Sequence, residues 1–166
     1  YWNSDGTNVT PPVHSFILRN LYLNNELVEP GKIKINGTGL NLSRVKTPNF
    51  FISTKEDHIA LWDGTFKGST ALGGDSTLVL GESGHVAGIV NPPAKDKYGY
   101  FTNTASFDNA EQWLEKAKHH KGSWWTYWQQ WVQPYAGEKV AAYAIGNENH
   151  PVIDNAPGKY VKVSLT

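Results

Sequence analysis

The chain has 166 residues, with 15 basic and 15 acidic side chains and neither Cys nor Met. The balanced charge gives no sign of a nucleic-acid or anionic-membrane footprint, and the lack of Cys excludes disulfides and thiolate metal sites. No apolar run approaches the roughly 20 residues that span a bilayer, so no transmembrane segment is expected. Because the sequence lacks Met and opens on Tyr1, we interpret it as an internal or C-terminal piece of a longer, cytoplasmic polypeptide.

The first part of the chain alternates turn signals with short periodic segments. Residues 1–13 are turn-rich, and the pair Pro11-Pro12 argues against regular structure there. Apolar residues at helical spacing predict a helix over residues 14–27, ended by Pro30-Gly31. Asn36-Gly37 then predicts a tight turn, and therefore a small β-hairpin that runs to about Leu42.

The centre of the chain has the pattern of a βαβ unit. Apolar runs at residues 47–53 and 77–80 read as strands that are covered on both faces. Between them, residues 59–72 carry the apolar spacing of a short helix. Two strands joined by a helix indicate an α/β sheet with parallel neighbours rather than a sandwich.

The last third predicts two helices and a loop-rich tail. The first covers residues 107–120 with Asp108 as N-cap, so that His119 and His120 interact with its C-terminus. The second covers residues 123–132, where Trp124, Trp128 and Trp131 form one stripe. Burial beneath the sheet is the favoured explanation of that stripe, with stacking on sugars or contact with an apolar polymer as alternatives. One further strand is predicted at 160–163.

Two residues follow the central strands where an active site would lie. Asp57 comes just after the first strand and His85, in a Gly-rich turn, follows the second, 28 residues later. They match the acid and base of a nucleophile–acid–base triad, although no nucleophilic Cys or Gly-x-Ser-x-Gly elbow precedes them. The alternatives are that Asp57 caps a helix and His85 is a turn residue. His58 competes as base or as a metal partner of His85, but a structural role is favoured for it.

Several motifs together closely resemble the C-terminal half of class I polyhydroxyalkanoate synthases. The resemblance covers essentially the whole chain. It rests on Glu56-Asp57-His58-Ile59, on Ser83 to Gly88 running into Val90-Asn91-Pro92-Pro93-Ala94-Lys95, on Lys121-Gly122-Ser123-Trp124-Trp125 followed by Trp128, and on the two ends, Tyr1 to Asn8 and Ala156 to Val161. One departure is Ala60-Leu61 before Trp62, where the family pattern has a Pro.

The resemblance implies the C-terminal portion of an α/β-hydrolase fold, with the last parallel strands and flanking helices. Residues 1–45 would belong to the lid and residues 46–166 to the core of a single larger catalytic domain. It also implies an acyltransferase that polymerises (R)-3-hydroxyacyl-CoA into polyester and releases CoA, with Asp57 as acid and His85 as base. The family's Cys nucleophile has no counterpart in the chain, so this piece alone is expected to be inactive.

The implied partners are the (R)-3-hydroxyacyl-CoA substrate, the growing polyester chain, the N-terminal Cys-bearing segment, a second copy in a homodimer, and the surface of cytoplasmic storage granules. CoA enters as part of the substrate, no cofactor or metal is expected, and no nucleic acid is implied. Two alternatives stay open: an α/β-hydrolase esterase or polyester depolymerase that uses water, and a non-catalytic module for granule binding or dimerisation built on the Trp-rich helix.

Overall fold

The computed structural model describes residues 8–163, so the motif at residues 1–7 lies outside the described residues. The strands are β1 Lys34–Ile35, β2 Thr38–Gly39, β3 Asn49–Thr54, β4 Ser76–Gly81, β5 Tyr100–Thr102 and β6 Lys118–His120. The α-helices are α1 Pro11–Phe16, α2 Trp62–Ala71, α3 Ala110–Glu115 and α4 Trp124–Ala136. A π-helical stretch, Ile17–Leu23, continues α1, and 3₁₀ turns lie at Glu26–Val28, Leu42–Arg44 and Tyr160–Lys162.

The N-terminal segment is helical from an earlier point than the sequence pattern predicts. α1 begins at Pro11, because a proline in the first helical turn lacks only an N–H that would have no partner there. The pair Pro11-Pro12 therefore starts a helix instead of preventing one. The predicted hairpin is confirmed: β1 and β2 pair antiparallel around Asn36 and Gly37, whose φ angles of 49° and 79° suit a tight two-residue turn.

The main sheet has four strands in the order β3-β4-β5-β6. β3 and β4 are parallel and are joined through α2, as the βαβ pattern predicted, with Thr54 paired to Gly81 at their carboxyl ends. β5 and β6 run antiparallel to their neighbours, so the expected run of parallel strands is limited to one pair. The architecture is a mixed α/β sheet.

The prediction of one helix over residues 107–120 is wrong in its second half. α3 covers only Ala110–Glu115, with Asn109 rather than Asp108 as the N-cap, and the chain then forms β6. There His120 pairs with Tyr100 of β5, and the two rings stack with centroids 4.8 Å apart. Pairing with a neighbouring strand thus outweighs the local helical spacing.

Apolar side chains cover both faces of the sheet. On one face Leu78 and Leu80 pack with residues of α2 and α3, among which Phe66 and Trp113 are buried. On the other face Phe50 contacts rings from α4. Neighbouring residues of a strand face opposite ways, so these strands make apolar contacts on each side of the sheet, while the buried core cluster lies on the face covered by α2 and α3.

Helix α4 covers the face of the sheet that carries Phe50, but the residues that contact it are not all those of the predicted tryptophan stripe. Trp124, Tyr127 and Trp131 lie 5.2 to 6.2 Å from the Phe50 ring, measured between centroids. Trp128 instead remains 44% exposed, which corrects the expectation that it packs under the sheet. The predicted strand at 160–163 is also wrong, since Tyr160–Lys162 is a 3₁₀ turn. Among the described helices none has the length and apolar character to cross a membrane.

Candidate active site

The carboxyl ends of β3 and β4 bring two loops together. The backbone N–H of Lys55 donates to the Gly81 carbonyl at 2.8 Å, and that of Glu56 donates to the Ser83 carbonyl at 3.0 Å. The parallel ladder therefore continues past the last strand residues into both loops. Asp57 lies directly after this junction, and its backbone N–H donates to the carbonyl of Thr54.

Asp57 is a buried carboxylate with a partner on each oxygen. Its Oδ1 accepts hydrogen bonds from the backbone N–H groups of Ile59 and Ala60, both at 2.9 Å. Its Oδ2 lies 2.8 Å from Nδ1 of His85, and only 7% of the side chain is exposed. The Ala60 N–H above all, together with His85, lowers the pKa of Asp57 from 3.8 to about 2, against the opposing effect of burial. Asp57 is therefore ionised at neutral pH.

The His85 side chain is partly exposed to solvent, with 46% of its surface accessible. Because an ionised carboxylate can only accept, the Nδ1 of His85 is the donor in the pair, and the lone pair of the neutral ring lies on Nε2. The pair thus presents an oriented proton acceptor at the carboxyl end of the parallel strands, where α/β sheets place their sites. The structure joins the two residues that the sequence singled out.

The loop after β4 approaches the sheet closely at Gly88. A Cβ at this position would lie 2.3 Å from the Glu82 carbonyl oxygen and 2.4 Å from Cγ2 of Thr54. Only glycine therefore allows the loop to fold back onto the end of β3. The loop also contains a non-glycine residue with positive φ, Ser83 at 69°, which sets the direction of the turn before His85.

Asn91 supports the far end of this loop and was not identified as a site residue from the sequence. It is 2% exposed, its amide donates to the Tyr98 carbonyl at 2.8 Å, and its Oδ1 accepts from the Lys97 N–H. Its own carbonyl accepts from the hydroxyl of Ser123. An Asn before two prolines reads as a turn residue, and its burial follows only from contacts distant in sequence.

The other histidines have different surroundings. His58 is exposed, and among the described residues it makes no hydrogen bond to Asp57. The expected role of His119 and His120 at a helix C-terminus is wrong because both lie on β6. His119 pairs with Glu82 at 2.9 Å, and His120 bonds the Thr102 hydroxyl at 2.8 Å. Burial, and then the nearby Lys118 and His119 side chains, lower the pKa of His120.

Within residues 8–163 no group of three His, Asp or Glu side chains is arranged to hold a metal ion. What the site does contain is a carboxylate–imidazole pair on the loops after two successive parallel strands. The chain therefore belongs to the class of α/β proteins that carry a carboxylate–imidazole pair on the loops at the carboxyl edge of the sheet.

Comparison with known proteins identifies relatives that match nearly the whole chain. The chain is 42% identical over 163 residues to "Poly(3-hydroxyalkanoate) polymerase subunit PhaC" of Cupriavidus necator and 46% identical over 163 residues to the same-named protein of Rhizobium meliloti. It is also 43% identical over 164 residues to "Poly(3-hydroxyalkanoate) polymerase" of Methylorubrum extorquens. Each match covers 98% of this chain but only 26–28% of the relative.

The chain is thus homologous over nearly all its length to a part of the poly(3-hydroxyalkanoate) polymerases, which confirms the resemblance seen in its motifs. It spans about a quarter of the length of these relatives. No family model matches the sequence.

Proposed function

We propose that the chain is the acid–base part of a poly(3-hydroxyalkanoate) polymerase, an acyltransferase that joins (R)-3-hydroxyacyl units from CoA thioesters into polyester and releases CoA. The observation that carries the proposal is the 2.8 Å contact between Asp57 and His85, in a chain whose relatives are named as polymerases. The nucleophile, which the family resemblance implies to be a Cys thiol, lies outside these 166 residues, since they contain no Cys.

In the first half-reaction His85 acts as the base. Its Nε2 takes the proton of the nucleophilic thiol, and the thiolate attacks the carbonyl carbon of the acyl-CoA thioester. The C–S bond to CoA breaks, and the departing CoA sulfur takes the proton from the imidazolium. Asp57 keeps Nδ1–H directed toward itself and stabilises the imidazolium while it exists.

In the second half-reaction a hydroxyl replaces the thiol. The 3-hydroxyl of one acyl unit gives its proton to a base while its oxygen attacks the thioester carbonyl carbon of a second acyl unit. An ester bond forms, the C–S bond of that thioester breaks, and the departing thiolate takes the proton from the base. Asp57 is a weak base here, because its pKa is about 2 and its two oxygens accept from Ile59, Ala60 and His85. We therefore assign His85 to this step as well.

The same assignment gives the fold, the domain organisation and the assembly of the complete protein. The sheet that contains β3 and β4 is the C-terminal part of an α/β-hydrolase fold, residues 46–166 belong to its core and residues 1–45 to its lid. The complete polymerase works as a homodimer on the surface of polyester granules in the cytoplasm. These statements rest on the family resemblance, together with the parallel strand pair and its acid–base loops.

The test uses a chimaeric polymerase in which this chain replaces the homologous part of the Cupriavidus necator protein. CoA release is followed with a thiol reagent. We expect His85→Gln to reduce turnover by about 10²- to 10⁴-fold, the usual contribution of a general base. His58→Gln, which changes the exposed neighbour of Asp57, is the matched control and leaves turnover within about twofold, because structural contacts of exposed side chains contribute little. Normal turnover in His85→Gln overturns the assignment.

The products of the reaction distinguish the proposed polymerase from the two alternatives, a hydrolase and a non-catalytic module. A polymerase gives polymer and CoA in proportion, whereas an esterase or depolymerase gives free hydroxyacid and shortens added polyester. A non-catalytic module gives neither product, and polyester particles then change the emission of the Trp-rich helix without any turnover. Hydrolysis alone, or binding alone, contradicts the proposed function.

A further inference from the structure

Two tryptophans at the start of α4 contact the backbone of the loop that carries the proposed base. Trp124 donates its indole N–H to the Gly88 carbonyl at 3.1 Å. Trp125 donates its indole N–H to the next carbonyl, that of Ile89, at 2.9 Å. Both bonds join residues that are 36 positions apart in the chain. Two consecutive carbonyls are thus held by two consecutive side chains.

The loop needs these donors because of its own sequence. After His85 the backbone makes one helix-like turn, in which Gly88 N–H bonds the Gly84 carbonyl and Val90 N–H bonds the Val86 carbonyl. A continued turn would satisfy the carbonyls of residues 88 and 89 from the backbone N–H groups of residues 92 and 93. Those residues are Pro92 and Pro93, which have no N–H. The indoles take the place of the missing backbone donors.

The start of α4, which carries the two tryptophans, is itself anchored to neighbouring segments. Ser123, the N-cap of α4, is 2% exposed, and its Oγ accepts from the Trp125 backbone N–H at 3.1 Å. The Ser123 backbone N–H donates to the carboxylate of Asp96 at 2.9 Å. The Trp124 ring stacks on Phe50 of β3 with centroids 6.2 Å apart. The start of α4 is therefore fixed to the same strand that leads to the acid.

We propose that Trp124 and Trp125 are positioning residues, which hold the His85 imidazole against Asp57 by binding the carbonyls three and four residues further along the loop. The inference rests on the proposed function, because it concerns the base of that reaction. Neither indole touches substrate in this assignment. The Pro92-Pro93 pair makes the loop dependent on α4 instead of on its own helix-like turn.

The first experiment measures the loop directly in the chimaeric polymerase. Hydrogen exchange is followed at the amides of residues 84–90 in Trp124→Phe and Trp125→Phe, which keep a ring but lose the donor. The matched control is Trp128→Phe, on the same helix, where the indole makes no hydrogen bond to any described residue. We expect about tenfold faster exchange in the first two variants and unchanged exchange in the control, in line with the loss of one hydrogen bond.

The second experiment measures turnover in the chimaeric polymerase. A misplaced base slows the chemical step more than substrate binding, so we expect kcat to fall about tenfold in Trp125→Phe, with KM within about twofold. Trp128→Phe keeps kcat. If Trp125→Phe has the exchange rates and kcat of Trp128→Phe, the positioning role is wrong. That outcome is separate from failure of the proposed function, which His85→Gln reports.

If Trp125→Phe fails to fold, a closer analogue of tryptophan at the same position tests the proposal. Incorporation of 3-benzothienylalanine at position 125 exchanges only the indole N–H for sulfur and keeps the shape of the ring. We expect this protein to have an unchanged far-UV circular dichroism spectrum, faster exchange at residues 84–90 and reduced kcat. Native exchange and native kcat in this protein contradict the proposal.

Discussion

Thr54 of β3 lies against Gly88 of the His85 loop so closely that a Cβ at residue 88 would fall 2.4 Å from Thr54 Cγ2. Thr54 is fully buried and ends the strand that leads to Asp57. The loop of the proposed base therefore lies directly on the strand of the proposed acid. The relative position of the two residues depends on this contact as well as on the hydrogen bond between them.

A side chain at residue 88 should separate the loop from the strand. Gly88→Ala forces the Glu82 carbonyl and Thr54 apart, at an expected cost of about 1–3 kcal/mol in the free energy of unfolding, as for overpacking. Gly68→Ala in α2, where a Cβ meets nothing within 4 Å, should instead add roughly 0.5–1 kcal/mol. Urea denaturation of both variants checks the prediction, and equal stabilities would contradict it.

Turnover should require the negative charge of Asp57, although His85 and not Asp57 is the base. In Asp57→Asn the amide can present a donor to Nδ1 of His85, which favours the ring tautomer with its proton on Nε2. We expect turnover in the chimaeric polymerase to fall by about 10²- to 10⁴-fold, the range for loss of general-base action. Asp63→Asn, at an exposed salt bridge on α2, serves as the control and keeps turnover. Full activity in Asp57→Asn would show that the tautomer is irrelevant.

The lowered pKa of Asp57 predicts a pH dependence of stability. Because the folded-state pKa is about 2 and the ordinary value is 3.8, ionised Asp57 stabilises the fold above about pH 4, and this contribution is lost as the pH falls toward 2. Urea midpoints at pH 5, 3 and 2 should therefore decrease more steeply in the unmodified chain than in Asp57→Asn. Parallel curves for the two proteins would refute the prediction.

The buried amide of Asn91 should be important for stability. Asn91→Ala leaves the Tyr98 carbonyl and the Lys97 N–H without their side-chain partner. The expected cost is about 1–3 kcal/mol, because removing one partner leaves buried polar groups unsatisfied. Asn24→Ala, at an exposed amide 3.3 Å from a Glu26 oxygen, should cost less than about 0.5 kcal/mol. Thermal unfolding of the two variants measures the difference.

The sequence predicted the part of the fold in which neighbours in the chain are also neighbours in space. β3, α2 and β4 follow one another and pack together, so their apolar runs were enough to predict the parallel pair. The ends of those strands then located Asp57 and His85. The hairpin at Asn36-Gly37 was equally local, since the turn needs two residues with positive φ.

The remaining structure depends on contacts that the local pattern does not contain. β5 has only three residues, and β6 pairs with it although α3 lies between them in the chain. The local sequence does not show this pairing, and His119 and His120 were therefore predicted as the end of a helix. The indole bonds of Trp124 and Trp125 likewise reach 36 residues back along the chain. Helical spacing predicts which residues share a face, but it does not show which backbone carbonyl an indole will meet.

The hydrogen bonds from Trp124 and Trp125 join the two ends of the segment from Gly88 to Trp124, so that this segment forms a closed ring. The number of residues within β5 and β6 is consequently constrained, because adding or removing one would turn alternate side chains to the other face and move α4 relative to the loop. The hairpin of β1 and β2 lies outside this ring. Differences in length among related chains should therefore accumulate at the hairpin and be rare within the two strands.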